Sequence, residues 1–236
     1  MRTDETAIDN QVRWGTSDAV LVLLGTQVVG FVWAGLLIVA FYGGTVPDPL
    51  PISLLVGANI GLWIGYGGGP VLVSRLKGRG PVVDFGVRLV PLDIPLGLVA
   101  GILVQIALLP VLYLPISKLV DTDPSESARE LIESIDSPLE GALFALSAAV
   151  MAPLVEELFF RGLLLRSLER WLGSVPAVII SSLVFAAIHR ELIVLPGLFV
   201  FGAIAATIVV RTGRLAPAVA LHVGFNATTL VLLGWL

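Results

Sequence analysis

Long apolar segments dominate this chain and restrict its fold more than any other feature of the sequence. A membrane-spanning helix needs about 20 mainly apolar residues, and seven segments reach or approach that length. These segments are 19–42, 51–73, 96–119, 138–172, 176–189, 192–210 and 215–236. Charged residues make up only 14% of the chain, against roughly 25% in a soluble domain. Because a backbone inside a bilayer must satisfy its own hydrogen bonds, the sequence predicts an all-α, polytopic transmembrane helix bundle of about seven spans.

A polar stretch between the third and fourth apolar segments has the pattern of a short surface helix. The residues Asp-Pro-Ser-Glu at 123–126 supply a capping residue, a proline at the first helical position and an acid in the first turn. The apolar residues behind them share one helical face, which predicts a short interfacial amphipathic helix over 124–135. No polar stretch is long enough for a second domain, so we expect residues 1–236 to form a single membrane domain.

The basic residues predict how the chain is oriented. Arg2 and Arg13 precede the first apolar segment, and other arginines and lysines follow the second, fourth and sixth segments. Because basic residues collect on the cytoplasmic side of membrane proteins, we expect a cytoplasmic N-terminus. The net charge of −4 argues against nucleic acid as a partner. The chain has no cysteine, which excludes disulfides, thiolate metal ligands and cysteine nucleophiles.

Two adjacent glutamates, Glu156 and Glu157, lie inside the fourth apolar segment. A charged side chain at membrane depth costs about 2.5–3.5 kcal/mol on insertion scales, so such a residue is a functional-site hypothesis by default. Arg161 follows Glu157 by four residues, which is the favourable order for a helical ion pair. Since consecutive helical residues are rotated by about 100°, Glu156 is expected to point elsewhere.

Two more motifs have the same four-residue spacing. Phe185 precedes His189, and His222 precedes Asn226; the chain has no other histidine. A turn near 173–174 and a rise of about 1.5 Å per residue bring Glu156 and His189 to one level. We therefore expect one cavity to hold Glu156, His189, His222 and Asn226.

This set of side chains contains a carboxylate base, two imidazoles and an amide, but no nucleophile. It fits hydrolysis by activated water, in which Glu156 takes the proton and the His and Asn donors stabilise the oxyanion. Alternatively, Glu156, His189 and His222 could hold zinc, with a metal-bound hydroxide as the nucleophile. The sequence lacks His-Glu-x-x-His, which excludes an ordinary zincin helix.

The three motifs, in this order and on separate segments, resemble the CPBP family of intramembrane proteases. That family comprises the type II CAAX prenyl endopeptidases and the bacteriocin-processing or self-immunity (Abi-like) proteins of prokaryotes. Its pattern is Glu-Glu-x-x-x-Arg, then Phe-x-x-x-His, then His-x-x-x-Asn or Asp, and all three parts are intact here. The resemblance covers roughly 138–235, which we expect to be the catalytic core.

The resemblance implies a role for each matching residue. Glu156 would be the general base and His189 would help to hold the water. His222 and Asn226 would form the oxyanion site. Supporting roles would fall to Glu157, Arg161 and Phe185.

The family also implies the substrate and the location. The substrate would be a peptide or protein, lipid-modified in the CAAX case, cleaved near its C-terminus within the cell membrane of a prokaryote. No cofactor is expected for a glutamate-activated water, and zinc is the alternative. The motifs do not indicate an oligomeric state.

Other classes of function remain open from the residues. The chain could be a non-proteolytic membrane scaffold or a bacteriocin self-immunity protein that binds a partner peptide in the same cavity. It could also be a small transporter whose glutamates and histidines relay protons, although the paired internal repeats of many transporters are not visible in the sequence.

Overall fold

The computed structural model describes residues 12–119 and 123–234, and within these ranges the chain folds into nine helices. They are α1 (Thr16–Tyr42), α2 (Ile52–Lys77), α3 (Pro81–Asp84), α4 (Asp93–Ile116), α5 (Glu126–Glu133), α6 (Pro138–Leu172), α7 (Ser174–Ala187), α8 (Leu195–Thr212) and α9 (Ala216–Leu232). Five of them, α1, α2, α4, α6 and α8, are long and apolar enough to cross a membrane, while α7 and α9 are shorter apolar helices. The predicted polytopic all-α bundle is confirmed.

The helix boundaries follow the capping signals in the sequence. Helix α6 begins after Ser137, whose hydroxyl accepts a hydrogen bond from the backbone N–H of Glu140 (3.2 Å). The amphipathic helix α5 begins two residues later than predicted, because Asp123 caps a turn instead of the helix. Its carboxylate accepts hydrogen bonds from the backbone N–H and the hydroxyl of Ser125 (2.8 and 2.7 Å), and these bonds lower the pKa of Asp123.

Prolines widen three of the long helices into π-helical turns. Each of these π-helical segments ends two residues before a proline: Ile64–Gly68 before Pro70, Val104–Leu108 before Pro110, and Ser147–Met151 before Pro153. Proline has no N–H, and its ring clashes with the carbonyl one turn earlier. A π turn accommodates the ring while the helix continues, and it releases carbonyl groups for other partners.

Glycines on α4 allow a close approach of α9, the helix that carries His222 and Asn226. A Cβ atom at Gly101 would lie 2.6 Å from the backbone nitrogen of Phe225, and one at Gly97 would lie 2.6 Å from the Cβ of Ala220. Small residues of this kind let helix backbones pack tightly in membranes. The position of α9 is therefore fixed by its contact with α4.

A single residue separates α6 from α7. Gly173 has a φ of 77°, a conformation that glycine adopts without the steric cost of a Cβ, and it reverses the chain between Leu172 and Ser174. The turn expected near 173–174 is thus confirmed, and α7 returns along α6.

Aromatic rings packed against one another fill the space between α2, α6 and α7. The centroids of Tyr66 and Phe159 are 5.1 Å apart, those of Phe159 and Phe160 are 4.8 Å apart, and those of Phe160 and Phe185 are 5.2 Å apart. The last two pairs are edge-to-face, a favourable arrangement for aromatic rings. This apolar packing surrounds the charged residues of the fourth apolar segment.

Candidate active site

A buried ion pair joins Glu157 and Arg161 on successive turns of α6. Nη1 of Arg161 donates a hydrogen bond to Oε1 of Glu157 (2.9 Å), and both side chains are at most 1% exposed. The guanidinium also donates to the carbonyl of Gly202 (3.3 Å) and lies 4.4 Å from the ring centre of Phe185. The predicted i, i+4 pair is confirmed, and it also connects α6 to α7 and α8.

The imidazole of His222 is held by the same carboxylate. Its Nδ1 lies 2.9 Å from Oε1 of Glu157, and the histidine is buried. An ionised carboxylate only accepts hydrogen bonds, so we assign the proton of this contact to Nδ1. The other ring nitrogen, Nε2, therefore faces away from Glu157.

Glu156 lies on that opposite side of the imidazole. Its Oε2 is 3.9 Å from Nε2 of His222, and its side chain is 18% exposed whereas that of Glu157 is fully buried. Among the described residues, Glu156 forms no ion pair with Arg161, in agreement with the rotation expected from the sequence. The two glutamates thus contact different nitrogens of one ring, and Glu156 is the more accessible.

Asn226 connects α9 to a π-helical turn of α6. Its Nδ2 donates a hydrogen bond to the carbonyl of Ala148 (2.8 Å). That carbonyl is released because the N–H of Ala152 bonds Ser147 instead, and Pro153 has no N–H to offer. This contact uses one amide N–H of Asn226. The second N–H and the Oδ1 atom take no part in it. Sequence reasoning missed Ala148, although Pro153 was a signal for a released carbonyl in this turn.

His189 reaches the site through Phe185 and not by direct contact with a glutamate. Its Nδ1 lies 2.8 Å from the carbonyl of Phe185, and the imidazole is exposed at the end of α7. The centroid of the Phe185 ring is 5.0 Å from that of His189 and 5.8 Å from that of His222. In the described part of the chain, neither glutamate is within ion-pairing distance of His189.

The alternative of a zinc site requires its three predicted ligands to lie together around one point. Glu156 and His222 face each other, but His189 does not complete the set. Across residues 12–119 and 123–234, no group of three His, Cys, Asp or Glu side chains is arranged to hold a metal ion. As arranged, Glu156, His189 and His222 do not fit a three-ligand zinc site.

Helix α8 contributes contacts that no sequence motif indicated. The ring of Phe201 lies against His222, with centroids 4.8 Å apart, and against Phe185, with centroids 5.8 Å apart. The adjacent carbonyl of Gly202 accepts from Arg161. Both residues belong to an ordinary apolar span, so only the packing of α8 reveals them.

Part of the chain matches a known protein family. Residues 138–228 match the model of the family described as Type II CAAX prenyl endopeptidase Rce1-like. The matched range begins with α6, ends within α9 and contains all three motifs. No curated protein and no solved structure matches the chain. The family resemblance is therefore confirmed over residues 138–228, where this integral membrane protein is similar to the Rce1-like type II CAAX prenyl endopeptidases.

Proposed function

We propose that this protein is an intramembrane endopeptidase in which Glu156 activates a water molecule to hydrolyse a peptide bond near the C-terminus of its substrate. The observation that carries the proposal is the contact of Glu156 with Nε2 of His222, whose Nδ1 is held by the buried Glu157. A partly exposed carboxylate beside an oriented imidazole is an arrangement suited to proton transfer.

The charges around His222 determine what its second ring nitrogen can do. Glu157 and Arg161 cancel each other. Because His222 gives its Nδ1 proton to Glu157, a hydrogen bond donated from Nε2 requires the imidazolium form. The added positive charge of that form would offset the nearby negative charge of Glu156.

In the reaction, the carboxylate of Glu156 takes a proton from water as the water oxygen bonds to the substrate carbonyl carbon. The resulting oxyanion accepts hydrogen bonds from Nε2–H of His222 and from the second N–H of Asn226. When the C–N bond breaks, Glu156 passes its proton to the leaving nitrogen. The products are a carboxylic acid and an amine, so atoms and protons balance.

The remaining motif residues position this machinery. Glu157 holds the proton of His222 on Nδ1, and Arg161 neutralises Glu157. His189, which is exposed at the end of α7, would hold the attacking water from the outer side, as the family resemblance implies. Phe185 separates the two imidazoles and supports both rings.

We further propose residues 138–235 as the catalytic core, a peptide or protein substrate that is lipid-modified in the CAAX case, and a place in the cell membrane of a prokaryote with the N-terminus in the cytoplasm. The family supports action on peptide or prenylated protein substrates. The abundant exposed apolar side chains of α1 and α4 support contact with membrane lipid.

The test is cleavage of a quenched fluorescent peptide library by purified protein, with and without a chelator. Glu156→Gln should lower kcat/KM by about 10²–10⁴-fold while leaving thermal unfolding unchanged. Glu140→Gln is the matched control, because Glu140 lies on the same helix about 24 Å along its axis and should retain full activity. We expect activity to persist with the chelator.

Three other outcomes would each contradict a different part of this proposal. Loss of cleavage with the chelator would establish metal dependence. Cleavage by Glu156→Gln at the wild-type rate would remove Glu156 from the mechanism. If the folded wild type cleaves nothing while binding the peptides, the scaffold or self-immunity function replaces the protease.

A further inference from the structure

Arg190 has a backbone conformation that its residue type does not favour. Its φ is 58°, and no other non-glycine residue in the described ranges has a positive φ. It lies three residues beyond Ala187, the last residue of α7, and its N–H donates to the carbonyl of Ala187 (3.2 Å). Helices usually end in this left-handed conformation at glycine or asparagine, because a Cβ atom is strained there. Glycine would adopt this backbone conformation without strain. We therefore expect the side chain of Arg190 to have a role of its own.

The loop that follows Arg190 is held by hydrogen bonds from α4 and α5. The hydroxyl of Tyr113 on α4 donates to the carbonyl of Ile193 (2.9 Å) and accepts from the N–H of Gly197 (3.2 Å). The hydroxyl of Ser127 on α5 donates to the carboxylate of Glu191 (3.0 Å). A cation on an anchored loop loses less conformational freedom when it binds a ligand.

The guanidinium of Arg190 is available for a ligand. It is exposed, and it forms no ion pair or side-chain hydrogen bond with the described part of the chain. The neighbouring carboxylate of Glu191 is bonded to Ser127 instead. In contrast, Arg161 and Arg214 of the same Rce1-like domain are paired with Glu157 and Asp93.

Arg190 also lies beside the reaction space. It follows His189 directly, and the ring of His189 packs against Phe185, which also contacts His222. The backbone of Arg190 is therefore next to the side of the site that His189 and Phe185 form. A guanidinium has a planar fork of donors that matches a carboxylate with two parallel hydrogen bonds.

We propose that Arg190 binds the terminal carboxylate of the peptide substrate and so determines that cleavage occurs a short distance from the C-terminus. This inference rests on the proposed function of Glu156. Binding of the free terminus by Arg190 would fix which peptide bond reaches the water at Glu156.

The test compares one cleavable peptide in two forms, with a free C-terminal acid and with a C-terminal amide. The wild type should prefer the acid by about 10–100-fold in kcat/KM, as expected for hydrogen bonds to a charged group. Arg190→Gln should bring the ratio of acid to amide cleavage close to one, and Arg190→Lys should restore part of it. The control Arg129→Gln removes another exposed arginine, on α5, and should keep the wild-type ratio.

Arg190→Gly separates ligand binding from folding. Glycine relieves the strained backbone, so this variant should unfold at the wild-type temperature or above while losing the preference for the acid. Equal cleavage of acid and amide by the wild type would overturn the inference and leave the proposed function intact. Arg190→Gln slowing both peptides equally, with the effect confined to vesicles of anionic lipid, would assign Arg190 to lipid headgroups instead. If the wild type cleaves neither peptide, the proposed function itself fails.

Discussion

His222 lies between two adjacent glutamates and contacts each through a different nitrogen. Nδ1 is 2.9 Å from Oε1 of Glu157, and Nε2 is 3.9 Å from Oε2 of Glu156. Glu157 is fully buried and paired with Arg161, whereas Glu156 is partly exposed. Two neighbouring residues of one type therefore have different surroundings, and such a difference is typical of carboxylates with separate roles in acid–base catalysis.

Glu157→Gln should lower the free energy of unfolding by about 3–5 kcal/mol, because it leaves the buried guanidinium of Arg161 without its countercharge. The measurement is thermal and denaturant unfolding in detergent. The double variant Glu157→Gln/Arg161→Met removes both charges and should recover part of the stability but no activity. A single variant as stable as the wild type would contradict the buried ion pair.

Asn226→Ala should destabilise the protein by about 1–3 kcal/mol, because the partly buried carbonyl of Ala148 loses its donor, and it should also lower activity. Thr228→Ala on the same helix is the control, since its hydroxyl bonds only the carbonyl of Gly224 within α9 (2.7 Å). We expect the control to stay within about 0.5 kcal/mol of the wild type. Equal stability of the two variants would argue against the link between α6 and α9.

The two histidines should differ in their effect on stability. His189→Gln should change the free energy of unfolding by less than about 0.5 kcal/mol, because His189 is exposed and its side chain bonds only the carbonyl of Phe185, four residues earlier. His222→Ala should lower the melting temperature, because Glu157 loses one of its two donors. Both variants should lose peptidase activity. A large loss of stability in His189→Gln would indicate a structural role at the end of α7.

Gly101→Ala should destabilise the bundle by about 1–3 kcal/mol, since its Cβ would lie 2.6 Å from the backbone nitrogen of Phe225 and separate α9 from α4. Activity should fall by more than the loss of folded protein explains, because α9 carries His222 and Asn226. Gly35→Ala on α1 is the control: no atom lies within 4 Å of the added Cβ, and alanine favours a helix over glycine by about 1 kcal/mol. Full activity in Gly101→Ala would contradict the role of this contact.

The absence of native cysteine permits a direct test of orientation. A single cysteine in place of Ser174, at the turn between α6 and α7, should react with an impermeant maleimide only in inverted vesicles if the N-terminus is cytoplasmic. A cysteine in place of Thr45, after α1, should react only in right-side-out vesicles. The reverse labelling pattern would invert the proposed orientation.

Local relationships along single helices were predictable from the sequence. The long apolar segments predicted the membrane-spanning helices, because each helix in a bilayer satisfies its backbone hydrogen bonds within itself. The pairing of Glu157 with Arg161 followed from residues four apart being neighbours on a helix. The turn at Gly173 followed from an equally local signal.

Relationships between helices required the tertiary structure. The sequence placed Glu157 and His222 in separate motifs, and only the packing of α9 against α4 and α6 makes them contact. The bond from Asn226 to Ala148 depends on a carbonyl released by a π-helical turn. His189 proved to be exposed and packed against Phe185. Helical periodicity sets the position of a side chain around its own axis, whereas the distance between two helices is set by the side chains and glycines packed between them.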